Sequence, residues 1–204
     1  VLRDYADQKE AVALARARLG GNEHAGRVKG DRPVWTGPHV DIFGRISADG
    51  RFLTYVDWFE TGNLMLHDMV TGTDHSLTKK KSWDDSPGQA SYSAISRDGK
   101  RVAYEWLNDQ RRYELCVAGL IGTTLGEPQR LVASAEYTSV RPFDWSPDGK
   151  WIAVHVKRSD LATQIGVVSV PDGSLRVLQS VDWRGPSNMS FSIDGKFIAF
   201  DLPA

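Results

Sequence analysis

Hydrophobic and polar residues alternate over short runs along most of the chain, and the runs are separated by Gly, Pro, Asp and Ser. In the stretch from Arg141 to Ser180 the runs are "RPFDWS", "KWIAVHV", "QIGVVSV" and "LRVLQS", rich in β-branched and aromatic residues. They are divided at "PDG", "KRSDLAT" and again "PDG". Period-two alternation bounded by turn residues predicts four β-strands in succession. The same order occurs earlier as "DIFGRIS", "RFLTYVDW", "NLMLHDM" and "DHSLT", and as "SYSAIS", "KRVAYEWL", "YELCVAG" and "QRLVAS". A fourth copy begins with "MSFS" and "KFIAFDLPA" and holds only its first two strands.

Each copy has a Ser-x-Asp-Gly phrase between its first and second strands, with aspartates at Asp49, Asp98, Asp148 and Asp194, spaced 49, 50 and 46 residues apart. Serine and aspartate side chains bond local backbone amides in such a turn, and glycine supplies the left-handed conformation. Pro147 fits the second turn position. Four carboxylates on four separate copies, each serving its own turn, point to architecture rather than to calcium binding or catalysis.

A period of about 40 to 50 residues made of short strands is the signature of propeller blades, whose small sheets bury their faces only by stacking on neighbours. The expected fold class is all-β: a β-propeller of four-stranded antiparallel blades, an incomplete ring of about three and a half blades, with one N-terminal helix. The blades are expected at 39–79, 89–134, 138–180 and, in part, 186–204. Open blade faces and the unpaired strand "KFIAFDLP" need covering, by further sequence of a larger protein or by association of two copies.

The first residues follow another period. In "DYADQKEAVALARARLGG", Ala11, Leu14, Ala15 and Leu19 share a helical face, Asp7 with Glu10 resembles a capping box, and Gly20 and Gly21 end the run. This predicts a helix within 1–21, either the end of an upstream helical repeat or a lone helix packed on the propeller. A polar linker over 22–38 follows.

Composition narrows the partners. With 25 Lys plus Arg against 26 Asp plus Glu, the net charge of −1 gives no general attraction to nucleic acid or anionic membrane. No apolar run approaches the roughly 18 to 20 residues of a membrane span. Cys116 is the only cysteine, so no internal disulfide can form and thiol usage does not fix the compartment. No signal peptide is visible, which says little for a chain that opens at Val1.

The phrase Ser-Pro-Asp-Gly-Lys, an alternating strand, a Val-x-Asp-Gly hairpin and an Arg-x-Leu end resemble the WD-repeat-like blades of TolB-type propellers over residues 39 to 204. Similar blades occur in the propeller domains of prolyl oligopeptidase and dipeptidyl peptidase relatives. The resemblance implies a six-, seven- or eight-bladed propeller, usually extracytoplasmic (periplasmic) in bacteria and usually a binding or gating module. Two departures stand out: the second copy has "GLIGTTLGEPQ" in place of the Asp-Gly hairpin, and the third alone has the full Ser-Pro-Asp-Gly.

Catalytic signatures are missing. There is no Gly-x-Ser-x-Gly elbow, no His-Glu-x-x-His and no phosphate-cradling glycine loop. His24, His39, His67, His75 and His155 lie on different predicted elements without ligand spacing, so no metal or other cofactor is expected. Tryptophan is more informative. In a four-stranded meander the B–C and D–A loops emerge on one face, where Trp35, Trp58, Trp83, Trp106 and Trp183 are expected. With charges such as Asp57, Glu60, Arg111, Arg112, Arg158 and Arg184 they suit a face that grips a peptide, protein or glycan. The alternative is that the rings wedge between blades. A second candidate is the channel mouth, where the starts of the first strands bring Asp41, Gln89, Arg141 and Ser187 toward the axis. The sequence thus predicts a non-catalytic binding propeller, part of a larger bacterial protein. The alternative is an accessory propeller gating a serine peptidase domain outside this chain.

Overall fold

The structure, a computed structural model, describes residues 35, 41, 43–85, 88–181 and 185–202. The chain divides into two compact units, Val1–Trp35 and Thr36–Ala204, and all the described strands belong to the second. The expected N-terminal helix lies outside the described residues, as does the linker apart from Trp35.

Each sequence copy forms one antiparallel sheet. Blade I contains β1 (Arg45–Ile46), β2 (Phe52–Val56), β3 (Leu64–Asp68) and β4 (Thr73–Ser76), hydrogen-bonded in that order. Blade II contains β5 (Gln89–Ile95), β6 (Arg101–Leu107) and β7 (Tyr113–Ile121). Here β7 runs on into a short hairpin with β8 (Thr124–Leu125), and β9 (Gln129–Val132) pairs with β7 as the outer strand. The departure "GLIGTTLGEPQ" is therefore an insertion that leaves the four-strand plan intact. Blade III contains β10 (Tyr137–Trp145), β11 (Trp151–Arg158), β12 (Thr163–Ser169) and β13 (Leu175–Val181). The pair β14 (Met189–Phe191) and β15 (Ile198–Phe200) begins blade IV.

The four Ser-x-Asp-Gly turns are the same structure four times. The serine hydroxyl donates to the aspartate Oδ1 at 2.5 to 2.6 Å in each. That Oδ1 also accepts the amide of the residue two positions on, and the serine oxygen accepts the amide five positions on, which opens the second strand. The glycines sit at φ between 66 and 73°, a region that excludes most side chains. The hydroxyl bond is the largest influence holding all four carboxyls below their usual value. The serine hydroxyl and the aspartate Oδ1 are thus engaged locally in all four turns, as the sequence predicts.

Burial lies between the blades. Leu64 and Leu66 of blade I pack with Val102 and Tyr104 of blade II, and Ala103 and Leu115 pack with Trp145, Ile152 and Val154 of blade III. A smaller cluster of Phe143, Ala153, Ile165 and Met189 joins blades III and IV. These apolar faces cannot be covered within one sheet, so stacking supplies most of the hydrophobic stabilisation. Polar bonds fix the register of the stack. Ser93 Oγ donates to Thr54 Oγ1 at 2.9 Å, Trp145 Nε1 donates to the Ala94 carbonyl at 3.0 Å, and Arg97 reaches Asp144 and the Phe191 carbonyl. The first strands of successive blades, β1, β5, β10 and β14, lie beside one another and form the inner, axial layer.

Candidate functional site

Three of the five rim tryptophans fall within the described part of the propeller, and all three are half-buried. Trp58 and Trp106 pack against the cluster shared by blades I and II. The Trp106 ring lies directly over the Gly88 backbone and meets Tyr104 edge-on, with centroids 6.5 Å apart. The Trp83 ring covers Gly62, and the Lys80 ammonium sits 5.2 Å from its centroid. Gly62 and Gly88 have positive φ, so glycine suits both the backbone shape and the space under the rings. These rings join the B–C loop of blade I to the D–A connection that leads into blade II. Trp35 belongs to the other compact unit, and Trp183 and Arg184 lie outside the described residues.

The axial layer gathers a different set. Arg141 and Phe143 alternate on β10, as Phe43 and Arg45 do at the start of blade I. The Arg141 guanidinium carbon stands 4.3 Å from the Tyr92 ring centroid, and that of Arg45 stands 5.3 Å from the Phe143 centroid. Phe43 closes the group against Tyr92 at 4.8 Å. Together with Gly185, Pro186, Ser187 and Asn188 of blade IV these side chains line a cavity of about 400 Å³. Four blades therefore contribute to one site.

Backbone irregularity aims the rings. Tyr92 lies where two residues of β5, Ser91 and Tyr92, face one residue of β6, and Phe143 is an extra residue between the pairs Pro142–Val154 and Asp144–Ala153. Both are β-bulges, which redirect a side chain out of strict alternation.

The site is electropositive. Arg45 and Arg141 are its charged lining residues. Burial lowers the Arg45 pKa, with Asp144, Tyr92 and Asp201 acting in the opposite direction. Arg45 donates to Asn188 Oδ1 at 3.2 Å, whereas Arg141 Nε is buried without a hydrogen-bond partner. The carboxylates nearby are committed elsewhere. Asp144 Oδ2 accepts from Arg97, Ser190 Oγ and the Phe191 amide, and Asp201 Oδ1 accepts the Ser187 and Asn188 amides at 2.7 Å. Glu105, 1% exposed, accepts from Ser139 Oγ, Ser91 Oγ and the Val140 amide, and burial raises its pKa.

Behind Arg141, and paired with it across the strands, is His155. It is 2% exposed, neither ring nitrogen has a hydrogen-bond partner, and its ring lies against the Gly185 backbone. Burial, then Arg141 and Lys157, push its pKa down to about 4, so the imidazole is neutral. No cluster of metal-binding side chains occurs among the described residues.

Of the predicted channel residues, Arg141 and Ser187 reach this cavity. Asp41 instead binds backbone: its Oδ1 accepts the Phe43 amide and its Oδ2 the Val56 amide. Gln89 opens β5 opposite Leu107 and does not line the cavity. Sequence reasoning did not select Arg45, Phe43, Tyr92 or Phe143. A signal was present: the first strands "DIFGRIS", "SYSAIS" and "RPFDWS" carry an aromatic residue three or four positions before the turn serine.

No family model and no curated protein matches the sequence. Solved structures do match. A TolB from Acinetobacter baumannii superposes with a TM-score of 0.62 at 22% identity, over 85% of this chain and 41% of that one. A protein of Agrobacterium tumefaciens assigned as a TolB gives 0.61 at 19% identity, over 84% of this chain and 57% of that one. Dipeptidyl peptidase 4 from Porphyromonas gingivalis gives 0.50 at 11% identity, over 83% and 30%. The chain thus spans 41% to 57% of the two TolB structures it resembles. These likenesses show the fold, a TolB-type β-propeller, as its repeat implies.

Proposed function

We propose that this propeller is a non-catalytic binding module that receives a protein or peptide partner at the mouth of its axial channel. One observation carries the reading: two arginines from blades I and III, each over an aromatic ring, border a cavity of about 400 Å³ with no carboxylate among the described residues that line it. A group with that chemistry is built to be met by something. Trp58, Trp83 and Trp106 are half-buried against neighbouring residues, which makes the axial cavity the better supported of the two candidate places. The nearby acids Asp144, Asp201 and Glu105 are all engaged in local hydrogen bonds, which supports binding over acid–base chemistry by these groups.

The TolB likeness supports a polypeptide partner and a location outside the cytoplasm. Cys116 is compatible with that location, because burial pushes its thiol up to about 12 and leaves it unreactive. Among the described residues no helix is long and apolar enough to cross a membrane.

The test is selection of random peptides displayed on phage against the purified protein and, in parallel, against Arg141→Gln. Sequences enriched on the wild type and lost on the variant support the reading. Enrichment that ignores Arg141, or none after several rounds, sinks it.

A further inference from the structure

Resting on that reading, we infer that the axial cavity is a carboxylate site, taking a ligand that presents one carboxylate on a flat apolar body. The argument begins with the guanidinium groups. Each has one face against a ring, Arg141 on Tyr92 and Arg45 on Phe143, so an acceptor is met at the edge, where the N–H groups point. A planar edge with parallel donors matches the two oxygens of a carboxylate.

The protein leaves the Arg141 donors available, while Arg45 gives one N–H to Asn188 Oδ1. Arg141 makes no hydrogen bond or ion pair with a described residue, and its Nε is removed from water as well. A buried donor of a charged group normally finds a partner, because leaving it bare costs free energy that folding alone has no reason to bear. The carboxylates close enough to serve, Asp144, Asp201 and Glu105, are all held by other donors. The Nη groups of Arg141, which have no hydrogen-bond partner among the described residues and are not buried as Nε is, are the donors that an acceptor from outside can meet.

Size and lining define the rest of the ligand. About 400 Å³ accommodates one or two side chains or a small organic acid. Phe43, Tyr92 and Phe143 offer flat apolar surface next to the charges, which suits a planar or apolar body rather than a fully hydrated ion.

Isothermal titration of the purified protein with benzoate, and separately with benzamide and with inorganic phosphate, tests this. Benzoate should bind, benzamide and phosphate should bind at least tenfold more weakly, and Arg141→Gln should lose tenfold or more of the benzoate affinity. Arg45→Gln lies on a different blade and should do the same, which guards against one variant failing to fold; circular dichroism checks both. Equal binding of benzoate and benzamide, preference for phosphate, absence of benzoate binding, or affinity unchanged in both variants overturns the inference. If displayed peptides still depend on Arg141 while benzoate fails, the binding-module reading survives and the carboxylate assignment alone is lost.

Discussion

Glu105 holds the junction of blades II and III, and two replacements separate its hydrogen bonds from its charge. Its Oε1 accepts from Ser139 Oγ at 2.6 Å and from the Val140 amide at 2.7 Å, while Oε2 accepts from Ser91 Oγ at 3.0 Å. Val140 is fully buried, so in Glu105→Ala its N–H has no acceptor and no water. That loss costs about 1–3 kcal/mol, and the space left by the side chain brings the total to roughly 2–4 kcal/mol. At about 2–4 °C per kcal/mol for a domain of this size, the melting temperature should fall by roughly 4–16 °C. Glu105→Gln keeps an acceptor for Val140 and a donor for Ser91, so its cost should stay within about 1 kcal/mol at low pH.

The charge acts through pH. Burial raises the carboxyl pKa in the fold, so the folded protein holds this proton more tightly than the unfolded chain does. The resulting stability is complete below the unfolded value of 4.5 and declines as pH rises through the folded value. A glutamine amide at this position has no proton to lose. The melting temperature of Glu105→Gln minus that of the wild type should therefore increase from pH 4 to pH 8, a difference in which all other titrating groups cancel. Parallel curves over that range would refute the burial argument. A Glu105→Ala loss no larger than that of the exposed Glu60→Ala would refute the hydrogen-bond argument.

Other perturbations test the packing. Gly149→Ala should destabilise more than Gly50→Ala, since both have positive φ but only at Gly149 would the added methyl meet Arg101, whose Nη2 donates to the Gly149 carbonyl; paired melting curves check the order. Trp106→Ala should lower stability by about 2–3 kcal/mol in urea unfolding while leaving benzoate binding intact, because the ring is half-buried against Gly88 and far in role from the arginines. Gly185→Ser should be strongly destabilising because its side chain overlaps the His155 ring. Combined with His155→Glu it should recover stability by rebuilding the Glu105–Ser139 pair one blade further on, and additive losses in the double variant would contradict that equivalence.

The fold was legible where structure is local. A Ser-x-Asp-Gly turn closes its bonds within six residues, so Asp148 could be assigned to its turn from sequence alone, and four copies at one spacing could mean little besides stacked blades. Arg141 and Ser187, grouped from the sequence by their places at the starts of first strands, line one cavity. Tyr92 and Phe143 were not legible, since a bulge changes which side chain faces the axis without changing the composition of its strand. Asp41, a short acid before β1, accepts backbone amides, here those of Phe43 and Val56, a local role that the sequence does not disclose. The tryptophans carried two readings because an aromatic ring at a blade edge serves packing and binding by the same surface.

The ninth residue after each turn serine shows how one repeat yields different chemistry around the ring. It is Val56 in blade I, Glu105 in blade II, His155 in blade III and Asp201 in blade IV. The turn is preserved because it answers only to its own blade. The ninth position lies in the far half of the second strand or just past it, where the chain meets groups beyond its own turn. There Val56 offers its amide to Asp41, Glu105 takes the Val140 amide of the next blade, His155 fills the space above Gly185, and Asp201 takes the amides of Ser187 and Asn188. Only Glu105, through the Val140 amide, and His155, against Gly185, reach the next blade; Val56 and Asp201 close contacts within their own blades. The same choices consume Glu105 and Asp201 internally and leave His155 neutral. What remains at the axis is Arg141, which lies over the Tyr92 ring but has no hydrogen-bond partner among the described residues, and that residue is where an external acceptor has most to add.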